Sequence, residues 1–482
     1  MIDIRPVLYI AAWFVLVLAA AMLVPLLVSL HLHDGEAGHF TVSFFLSAFL
    51  GGLFLLAMRH DNPGLNRRQA FLLIIVTWII GSFVAALPLY FSSFVETITD
   101  AVFESVSGLT TTGSTILTNL DSKPASLLLW RSMTQWLGGI GIIVMGLVIL
   151  PFLKIGGMEL FRIESSDTYD KVVPKSASFI SAFAMVYVVL TAACAVLYGM
   201  TGMSGFEAVN HAMTTLSTGG YSTSDASMGH FTNPATEWVS VVFMTCGGIP
   251  FVLFIRFMQG KYRVFFTDEQ VRFYIAFLVI TSFAMAFYIY EINDVGFLDA
   301  LRLSAFHISS VMTTTGYAST DYLMWGAGAI CFFFFLTFMG GCAGSTAGGF
   351  KVYRLIVMVR MFIARTEQMI TPHKVIRKSY NGQPINDETE AAIISFTIIF
   401  VMTVFALVCA LTFIGLDFIT AFSGAATAVA NVGPGIGPII GPAGNFSSLP
   451  DVAKWLLIFG MLLGRLELMA VAVVLLPGFW RG

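Results

Sequence analysis

The chain has 482 residues, of which 57% are hydrophobic and 11% are charged. Soluble domains carry about 25% charged residues, so this composition excludes a soluble globular protein and predicts one that crosses a membrane many times. The formal net charge of −3 carries little information, because in a membrane protein the placement of charges matters more than their sum. The five cysteines lie in apolar runs without the spacing of metal ligands, which favours buried, inert thiols.

Ten segments are apolar and long enough to cross a bilayer as helices, which takes about 20 residues. In chain order they are residues 6–30, 40–58, 69–93, 125–151, 177–200, 236–258, 271–291, 324–361, 390–415 and 453–477. The first segment is too long for the apolar core of a secretory signal and lacks a clean cleavage site. We therefore expect it to remain in the protein as a membrane anchor.

Four shorter segments, residues 98–112, 204–218, 298–315 and 417–432, are too short to cross and are predicted to form re-entrant half-helices. Each ends in a similar glycine-containing pattern, at residues 110–114, 216–221, 313–317 and 430–434. The matching glycines are predicted to be Gly113, Gly219, Gly316 and Gly433. Four such units in one chain can supply the four walls of a pore.

The predicted fold is therefore an all-α polytopic membrane protein with four parallel helix–pore-loop–helix repeats in a pseudo-fourfold arrangement. An extra N-terminal helix pair, residues 1–68, precedes them. The repeats are predicted to span residues 69–153, 154–263, 264–378 and 379–482. They run in the same direction, unlike the inverted repeats of many carriers.

Basic residues predict the orientation of the chain in the membrane. With the N-terminus inside, ten spans place both termini in the cytoplasm and all four half-helices on the outer side. Of the 25 lysines and arginines, only Lys123, Arg131, Arg302, Lys454 and Arg465 then lie outside the cytoplasmic segments. The positive-inside rule is strongly satisfied by this arrangement.

The glycine-containing segments are predicted to form a cation filter. A dehydrated cation needs oxygen ligands, which a ring of backbone carbonyls supplies. Glycine permits the required backbone geometry, and threonine hydroxyls can hold that backbone in place. The filter candidates are Thr111, Thr112, Gly113, Ser217, Thr218, Gly219, Thr314, Thr315, Gly316, Asn431, Val432 and Gly433. The alternative is that these glycines only allow close helix packing, which does not account for their matched positions in four repeats.

A gate is predicted within residues 325–361, which as one helix would measure about 55 Å at about 1.5 Å per residue. The hydrocarbon core of a bilayer is only about 30 Å thick. Residues 340–349 are all small and five of them are glycine, so we expect a flexible loop to interrupt the span beneath the filter. A kinked helix without a gating role is the alternative.

Arg465 is predicted to act together with this loop. It lies about 15 Å along the last span, too deep for its guanidinium to reach the membrane surface. Glu467 follows two residues later and so points to another helix face. The gate candidates are Gly340, Gly341, Gly344, Ser345, Thr346, Gly348, Gly349 and Arg465. A structural ion pair between helices is the alternative role for Arg465.

The sequence shows no pattern typical of an enzyme. It contains no phosphate-binding loop with its lysine, no zinc-protease helix and no nucleophile elbow. His211 and His307 lie in two of the half-helices, and we interpret them as hydrogen-bonded core residues rather than ligands.

Four segments carry a resemblance to a known family. They are the Thr-Thr-Gly segments, Ser-Thr-Gly-Gly-Tyr-Ser at 217–222, Ala-Asn-Val-Gly-Pro-Gly at 430–435 and the Gly-rich stretch 340–349. Together they resemble the Trk/Ktr/HKT potassium-transport superfamily across essentially the whole chain. The extra helix pair, residues 6–58, is similar to that of the longer Trk branch rather than the Ktr branch.

The resemblance implies K⁺ as the transported ion, with no organic cofactor in this chain. It also implies a homodimer in a bacterial inner membrane, a cytosolic nucleotide-binding (TrkA-like) regulatory subunit, and a loop that obstructs the pore below the filter. Membrane lipids are the other expected partner, and nucleic acid is not. In plant relatives a serine at the first filter position accompanies sodium permeation, so Gly113 favours potassium. The fourth loop departs from the others because Asn431 and Val432 replace the threonine pair.

Two functions remain open at this point. The preferred one is potassium uptake through a gated pore. The alternative is a secondary transporter that couples potassium to protons, which would need a carboxylate near the membrane midplane. Glu467 is the acidic residue placed near that depth.

Overall fold

The computed structural model describes residues 2–59, 65–149, 175–374, 376–466 and 468–481. Lys154, Arg162 and Lys171, which support the predicted orientation, lie outside the described residues, and so does Glu467.

The described chain is mostly helical. Its α-helices are α1 (Arg5–Leu32), α2 (Ala37–Ala57), α3 (Arg67–Phe91), α4 (Ile98–Leu109), α5 (Ala125–Ile149), α6 (Lys175–Met200), α7 (Gly205–Leu216), α8 (Pro234–Gly247), α9 (Phe251–Met258), α10 (Val264–Thr267), α11 (Glu269–Ile292), α12 (Phe297–Met312), α13 (Ala327–Leu336), α14 (Val352–Ile370), α15 (Asp387–Phe413), α16 (Phe418–Ala430), α17 (Asp451–Arg465), α18 (Leu468–Leu475) and α19 (Pro477–Trp480). A two-stranded antiparallel hairpin, β1 (Ser379–Tyr380) and β2 (Gln383–Pro384), precedes α15.

Six described helices are long and apolar enough to cross a membrane: α1, α2, α3, α6 over residues 180–200, α11 and α15. The predicted single spans 236–258 and 453–477 are wrong as straight helices. The first is α8 and α9, bent by 93°, and the second is α17 and α18, bent by 107°. Gly247, Gly248 and Pro250 explain the first bend, because glycine weakens a helix and proline removes a donor from it.

The predicted interruption of span 324–361 is confirmed, and it is longer than the glycine-rich stretch. Helix α13 ends at Leu336 and α14 begins at Val352, with irregular backbone between them. Helix α14 continues to Ile370, well past the predicted end at residue 361. Its turns beyond residue 361 carry the charged Arg365 and Glu367, so hydropathy alone set the predicted boundary too early.

The four predicted half-helices are α4, α7, α12 and α16, which we call the pore helices. Most of their residues are buried, including every residue of their last turns. Three begin with a side-chain cap. Thr97 accepts a hydrogen bond from Asp100 N, Ser204 forms a capping box with Glu207, and Asp417 accepts from Thr420 N. Such caps satisfy the free N–H groups at the start of a helix.

Candidate ion filter and intramembrane loop

The chain that follows each pore helix has the same backbone conformation in all four repeats. A residue other than glycine adopts a left-handed conformation first, with φ of 52° at Thr111, 53° at Thr218, 59° at Thr314 and 55° at Asn431. A glycine with positive φ comes two residues later, at Gly113 (87°), Gly220 (78°), Gly316 (81°) and Gly433 (106°).

Backbone hydrogen bonds confirm this alignment. The residue between the two positions donates its N–H to the carbonyl five residues earlier in every repeat: Thr112 to Ser107, Gly219 to Thr214, Thr315 to Ser310 and Val432 to Thr427, at 2.9–3.1 Å. The predicted register of the second repeat is therefore wrong by one residue. Gly220 matches Gly113, whereas Gly219 matches Thr112 and Ser217 matches Thr110. Two consecutive glycines made both alignments possible from the sequence.

The four filter loops close into a ring. A Cβ atom on each matched glycine would lie less than 3.0 Å from a carbonyl oxygen of the adjacent repeat. The pairs are Gly113 with Gly219 O, Gly220 with Thr315 O, Gly316 with Val432 O and Gly433 with Thr112 O. The four oxygens come from equivalent residues, and the order runs from repeat 1 to repeat 4 and back to repeat 1. Only glycine fits at these positions, because a side chain would displace the neighbouring carbonyl.

A cavity of about 280 Å³ opens on this ring. It is lined by the four matched glycines and by the segments that follow them, together with residues 441–446 and Arg131. Because Gly113, Gly220, Gly316 and Gly433 all line it, the four glycines lie in one layer.

Threonine hydroxyls pair with one another in repeats 1 and 3, whereas the predicted Thr111 hydroxyl has no hydrogen-bond partner among the described residues. Thr110 and Thr112 share a hydrogen bond of 2.7 Å between their hydroxyls, and Thr313 and Thr315 do the same at 2.7 Å. In repeat 4 the side-chain amide of Asn431 makes a comparable contact, because its Nδ2 donates to Thr112 Oγ1 of repeat 1 at 2.9 Å.

The Gly-rich stretch lies directly against the inner ends of the filter loops. Thr346 Oγ1 donates to Leu216 O at 3.0 Å, and Gly348 N donates to Thr314 Oγ1 at 2.7 Å. A Cβ atom on Gly348 would also collide with Ala430 O. The loop therefore touches repeats 2, 3 and 4 at once, immediately below the ring.

The break between α8 and α9 supports the loop. Cys342 N donates to Gly248 O at 2.9 Å, Thr346 N donates to Gly247 O at 3.3 Å, and Phe251 N donates to Gly344 O at 3.1 Å. Irregular backbone at membrane depth is tolerated only where such partners exist. Positive φ values at Gly340, Gly344 and Gly349 allow the stretch to turn tightly, and Ser345 Oγ donates to Cys342 O at 2.6 Å.

Arg465 contacts the same loop. Its side chain is buried, and its Nη1 donates to Thr346 O at 2.9 Å. Among the described residues, its Nε and Nη2 have no hydrogen-bond partner. The structure thus brings Arg465 and the predicted gate residues of the loop together.

Residues 37–477 match the family described as TrkH, cation transport protein. The chain belongs to the TrkH family. It is 45% identical over 477 residues to the Trk system potassium uptake protein TrkI of Halomonas elongata, covering 99% of this chain and 97% of the relative. It is 33% identical to the Trk system potassium uptake protein TrkH of Escherichia coli K12, covering 99% of each. The crystal structure of the potassium transporter TrkH from Vibrio parahaemolyticus superposes with a TM-score of 0.93 at 31% identity, covering 100% of both chains.

Membership in the TrkH family establishes a transporter rather than an enzyme. It also agrees with the all-α fold and with the four-repeat arrangement that the ring displays.

The sequence did not indicate a polar network beside the filter of this TrkH-family chain. Arg131 on α5 is buried, and its Nε donates to Glu104 on α4 at 2.7 Å. Its Nη1 donates to Ser222 O in repeat 2 at 3.1 Å, and its guanidinium lies 4.1 Å from the centre of the Tyr221 ring. Charged residues inside two apolar segments were the available signal, but only the fold shows that they pair.

The other cations predicted to lie outside the cytoplasmic segments also have partners. Lys454 pairs with Asp100 at 2.6 Å, Arg302 pairs with Glu237 and with Asp299, and Lys123 lies over the ring of Phe94. These cations were the exceptions to the positive-inside pattern, and each has a local partner that accounts for its position.

His211 and His307 are buried core residues, as predicted. His211 Nε2 lies 3.0 Å from Ser222 Oγ, and His307 Nε2 lies 3.1 Å from Thr320 O. With the corrected register, both histidines stand nine residues before their glycine, and Glu104 stands nine before Gly113. Glu104 likewise accepts from Ile116 N at 3.0 Å. Three pore helices thus anchor the segment after the filter from the same position.

Proposed function

We propose that the protein takes up potassium through the ring formed by its four filter loops. The closed ring of equivalent carbonyl oxygens is the observation that carries this proposal. Such oxygens replace the hydration shell of a potassium ion, and one chain provides all four. Pore helices α4, α7, α12 and α16 end at the ring, so their negative C-terminal ends favour a cation there. The names of the relatives, which are potassium uptake proteins, support the same ion.

The loop at residues 340–349 is proposed to be the gate. It contacts the inner ends of three filter loops, and Arg465 Nη1 holds Thr346 O from the last repeat. A guanidinium beneath the ring also opposes the passage of a cation where dielectric screening is weak. We propose that movement of the loop away from Leu216 and Thr314, with release from Arg465, opens the pathway.

Regulation is proposed to come from a cytosolic nucleotide-binding subunit of the TrkA type, and the protein is proposed to form a homodimer in the bacterial inner membrane. Relatives named for a Trk system support the existence of further components. The basic residues of α14 and of the segment after it, including Arg360, Arg365 and Lys374, are the proposed dock on the cytoplasmic side.

Coupling to protons is the alternative function. It needs a carboxylate that can change its charge inside the membrane. Three described carboxylates on or beside the pore helices are ion-paired: Glu104 with Arg131, Asp100 with Lys454 and Glu237 with Arg302. These pairs favour a pore over a proton-coupled carrier.

Purified protein in proteoliposomes tests the proposed function. Uptake of ⁸⁶Rb⁺ driven by an outward K⁺ gradient should exceed that of empty vesicles, and single-channel recording in planar bilayers should show unitary steps. Uptake that depends on an imposed proton gradient, without unitary steps, would instead support the carrier. Absence of any cation flux from folded protein would defeat both.

A further inference from the structure

Gln135 holds one carbonyl of the filter ring from outside the ring. This residue lies on α5 in repeat 1, is fully buried, and reaches the filter loop of repeat 2. Its Nε2 donates to Gly219 O at 2.6 Å, and its Oε1 accepts from Tyr221 N at 3.0 Å. The two contacts assign the amide orientation, because a carbonyl needs a donor and an N–H needs an acceptor.

The other ring carbonyls lack such a contact. Gly219 O is equivalent to the oxygens of Thr112, Thr315 and Val432. Within the described part of the chain, none of those three oxygens accepts a hydrogen bond from a side chain. The Gln135 contact therefore breaks the fourfold equivalence of the ring at one position.

Neighbouring repeats place methionine where repeat 1 has Gln135. The match follows from Gly138, Gly247 and Gly464, since a Cβ atom on each would contact a carbonyl at an equivalent place in a pore helix: Leu109 O, Leu216 O and Val429 O. Three residues before these glycines stand Gln135, Met244 and Met461. Glutamine and methionine have similar length, so the difference between the repeats is the hydrogen-bonding amide.

We infer that Gln135 is a positioning residue for ion selectivity, which fixes the Gly219 carbonyl and so limits how far the ring can contract. This inference rests on the proposed function. A smaller cation such as Na⁺ needs its oxygen ligands closer than K⁺ does. The amide resists an inward shift of Gly219 O because that shift would lengthen a buried hydrogen bond. Arg131, one helical turn away, donates to Ser222 O of the same loop, so helix α5 holds this loop at two carbonyls.

Gln135→Met tests the inference, because it installs the side chain that repeats 2 and 4 use. The ratio of K⁺ to Na⁺ permeability, from reversal potentials under bi-ionic conditions, should fall about fivefold. A fivefold change corresponds to about 1 kcal/mol, the usual net contribution of one hydrogen bond. Gln135→Asn should act in the same direction, because the shorter amide cannot reach both partners.

Ser132→Ala is the matched control. Ser132 is buried on the same helix, and among the described residues its hydroxyl donates only to Leu128 O of that helix, at 3.2 Å. Its permeability ratio should equal that of the unaltered protein. A ratio within twofold of that value in folded Gln135→Met or Gln135→Asn protein overturns the inference. Failure of both variants to fold also overturns it, since Gln135 would then be a structural residue. Absence of K⁺ flux in the unaltered protein would instead reject the proposed function.

Discussion

Threonine or asparagine occupies a left-handed position at the inner end of every filter loop, where an L-residue pays about 1 kcal/mol or more. The side chains explain this choice at three of the four positions. Thr218 Oγ1 lies 3.3 Å from Thr346 Oγ1, and Thr314 Oγ1 accepts from Gly348 N at 2.7 Å. Asn431 Nδ2 bonds to Met461 O at 3.0 Å, in addition to Thr112. Nothing among the described contacts of Thr111 Oγ1 explains threonine there.

The matched glycines yield a prediction about ion selectivity. Gly113→Ser and Gly220→Ser should each lower the K⁺ to Na⁺ permeability ratio about tenfold, equal to about 1.4 kcal/mol. A Cβ atom at either position would strike a backbone carbonyl of the next repeat. Bi-ionic reversal potentials give the ratio. Gly199→Ala is the control, because no atom lies within 4 Å of its new Cβ. Unchanged reversal potentials in both serine variants would contradict the carbonyl ring.

The buried pair of Arg131 and Glu104 supports a prediction about stability. Arg131→Met should lower the unfolding free energy by about 3–5 kcal/mol, because it leaves a buried carboxylate without its partner. The double variant Arg131→Met/Glu104→Gln should recover part of the loss, since no uncompensated charge remains. Thermal unfolding of the detergent-solubilised protein measures both effects. Equal unfolding midpoints for Arg131→Met and the unaltered protein would mean that the ion pair does not contribute to stability.

At this scale the sequence predicts residue types better than partners. The glycines of repeats 1, 3 and 4 were identified because a backbone position with positive φ favours glycine, which is visible in the sequence. Gly220 was missed because Gly219 beside it is also a glycine. Backbone hydrogen bonds show which of the two matches Gly113. Gln135 was missed because its partners are 84 and 86 residues away in the chain.

At the scale of secondary-structure elements, the breaks in three helices form and support the intramembrane loop. The second helix of repeat 2 bends at Gly247 and Gly248, that of repeat 3 is interrupted between Leu336 and Val352, and α17 ends at Arg465. The carbonyls of the first break are the hydrogen-bond acceptors for the loop in the second. Hydropathy located these spans because it averages over about 20 residues, and for the same reason it did not show where they bend.

The intramembrane loop is expected to limit cation flux through the protein in the absence of its regulatory subunit. Deletion of residues 343–347 should raise basal ⁸⁶Rb⁺ uptake, because it removes the contacts with Leu216 O and Gly247 O beneath the ring. Thr346→Val is the finer test, since it keeps the shape and removes the hydroxyl. Its uptake should lie between that of the deletion and the unaltered protein. Wild-type uptake in both well-folded variants would show that the stretch is only an interruption of the helix.

Substitutions of Arg465 distinguish the effect of its positive charge from that of its hydrogen bond in the proposed gate. Arg465→Ala should increase basal ⁸⁶Rb⁺ uptake, because both the positive charge and the bond to Thr346 O are lost. Arg465→Lys should keep most of the restriction, since a cation remains beneath the ring. If the Ala and Lys variants conduct alike, charge is not the property that matters. If Arg465→Ala yields no folded protein in detergent, the residue is structural and the gating role is rejected.

For the whole molecule, the repeats are interlocked in a circle rather than merely placed side by side. The Tyr221 hydroxyl of repeat 2 donates to Glu104 O of repeat 1 at 2.7 Å, and the Tyr317 hydroxyl of repeat 3 donates to His211 O of repeat 2 at 3.1 Å. Ser114 Oγ of repeat 1 donates to Gly433 O of repeat 4 at 2.9 Å. Repeats 3 and 4 meet where a Cβ atom on Gly316 would collide with Val432 O, which completes the circle. The sequence predicted the repeats, but their contacts depend on residues that differ from one repeat to the next.

Orientation in the membrane is the prediction that concerns the chain as a whole. The segment from α14 to the β-hairpin carries Arg360, Arg365 and Lys374 and is expected in the cytoplasm, whereas the segment between α16 and α17 is expected outside. Thr371 and Ser448 are exposed residues of these two segments. A membrane-impermeant maleimide should label Ser448→Cys in intact spheroplasts and Thr371→Cys only after permeabilisation. The protein with its native cysteines gives the background. Labelling of Thr371→Cys in sealed cells would place the basic segment outside, and the dock proposed for a cytosolic regulatory subunit would then be on the wrong side of the membrane.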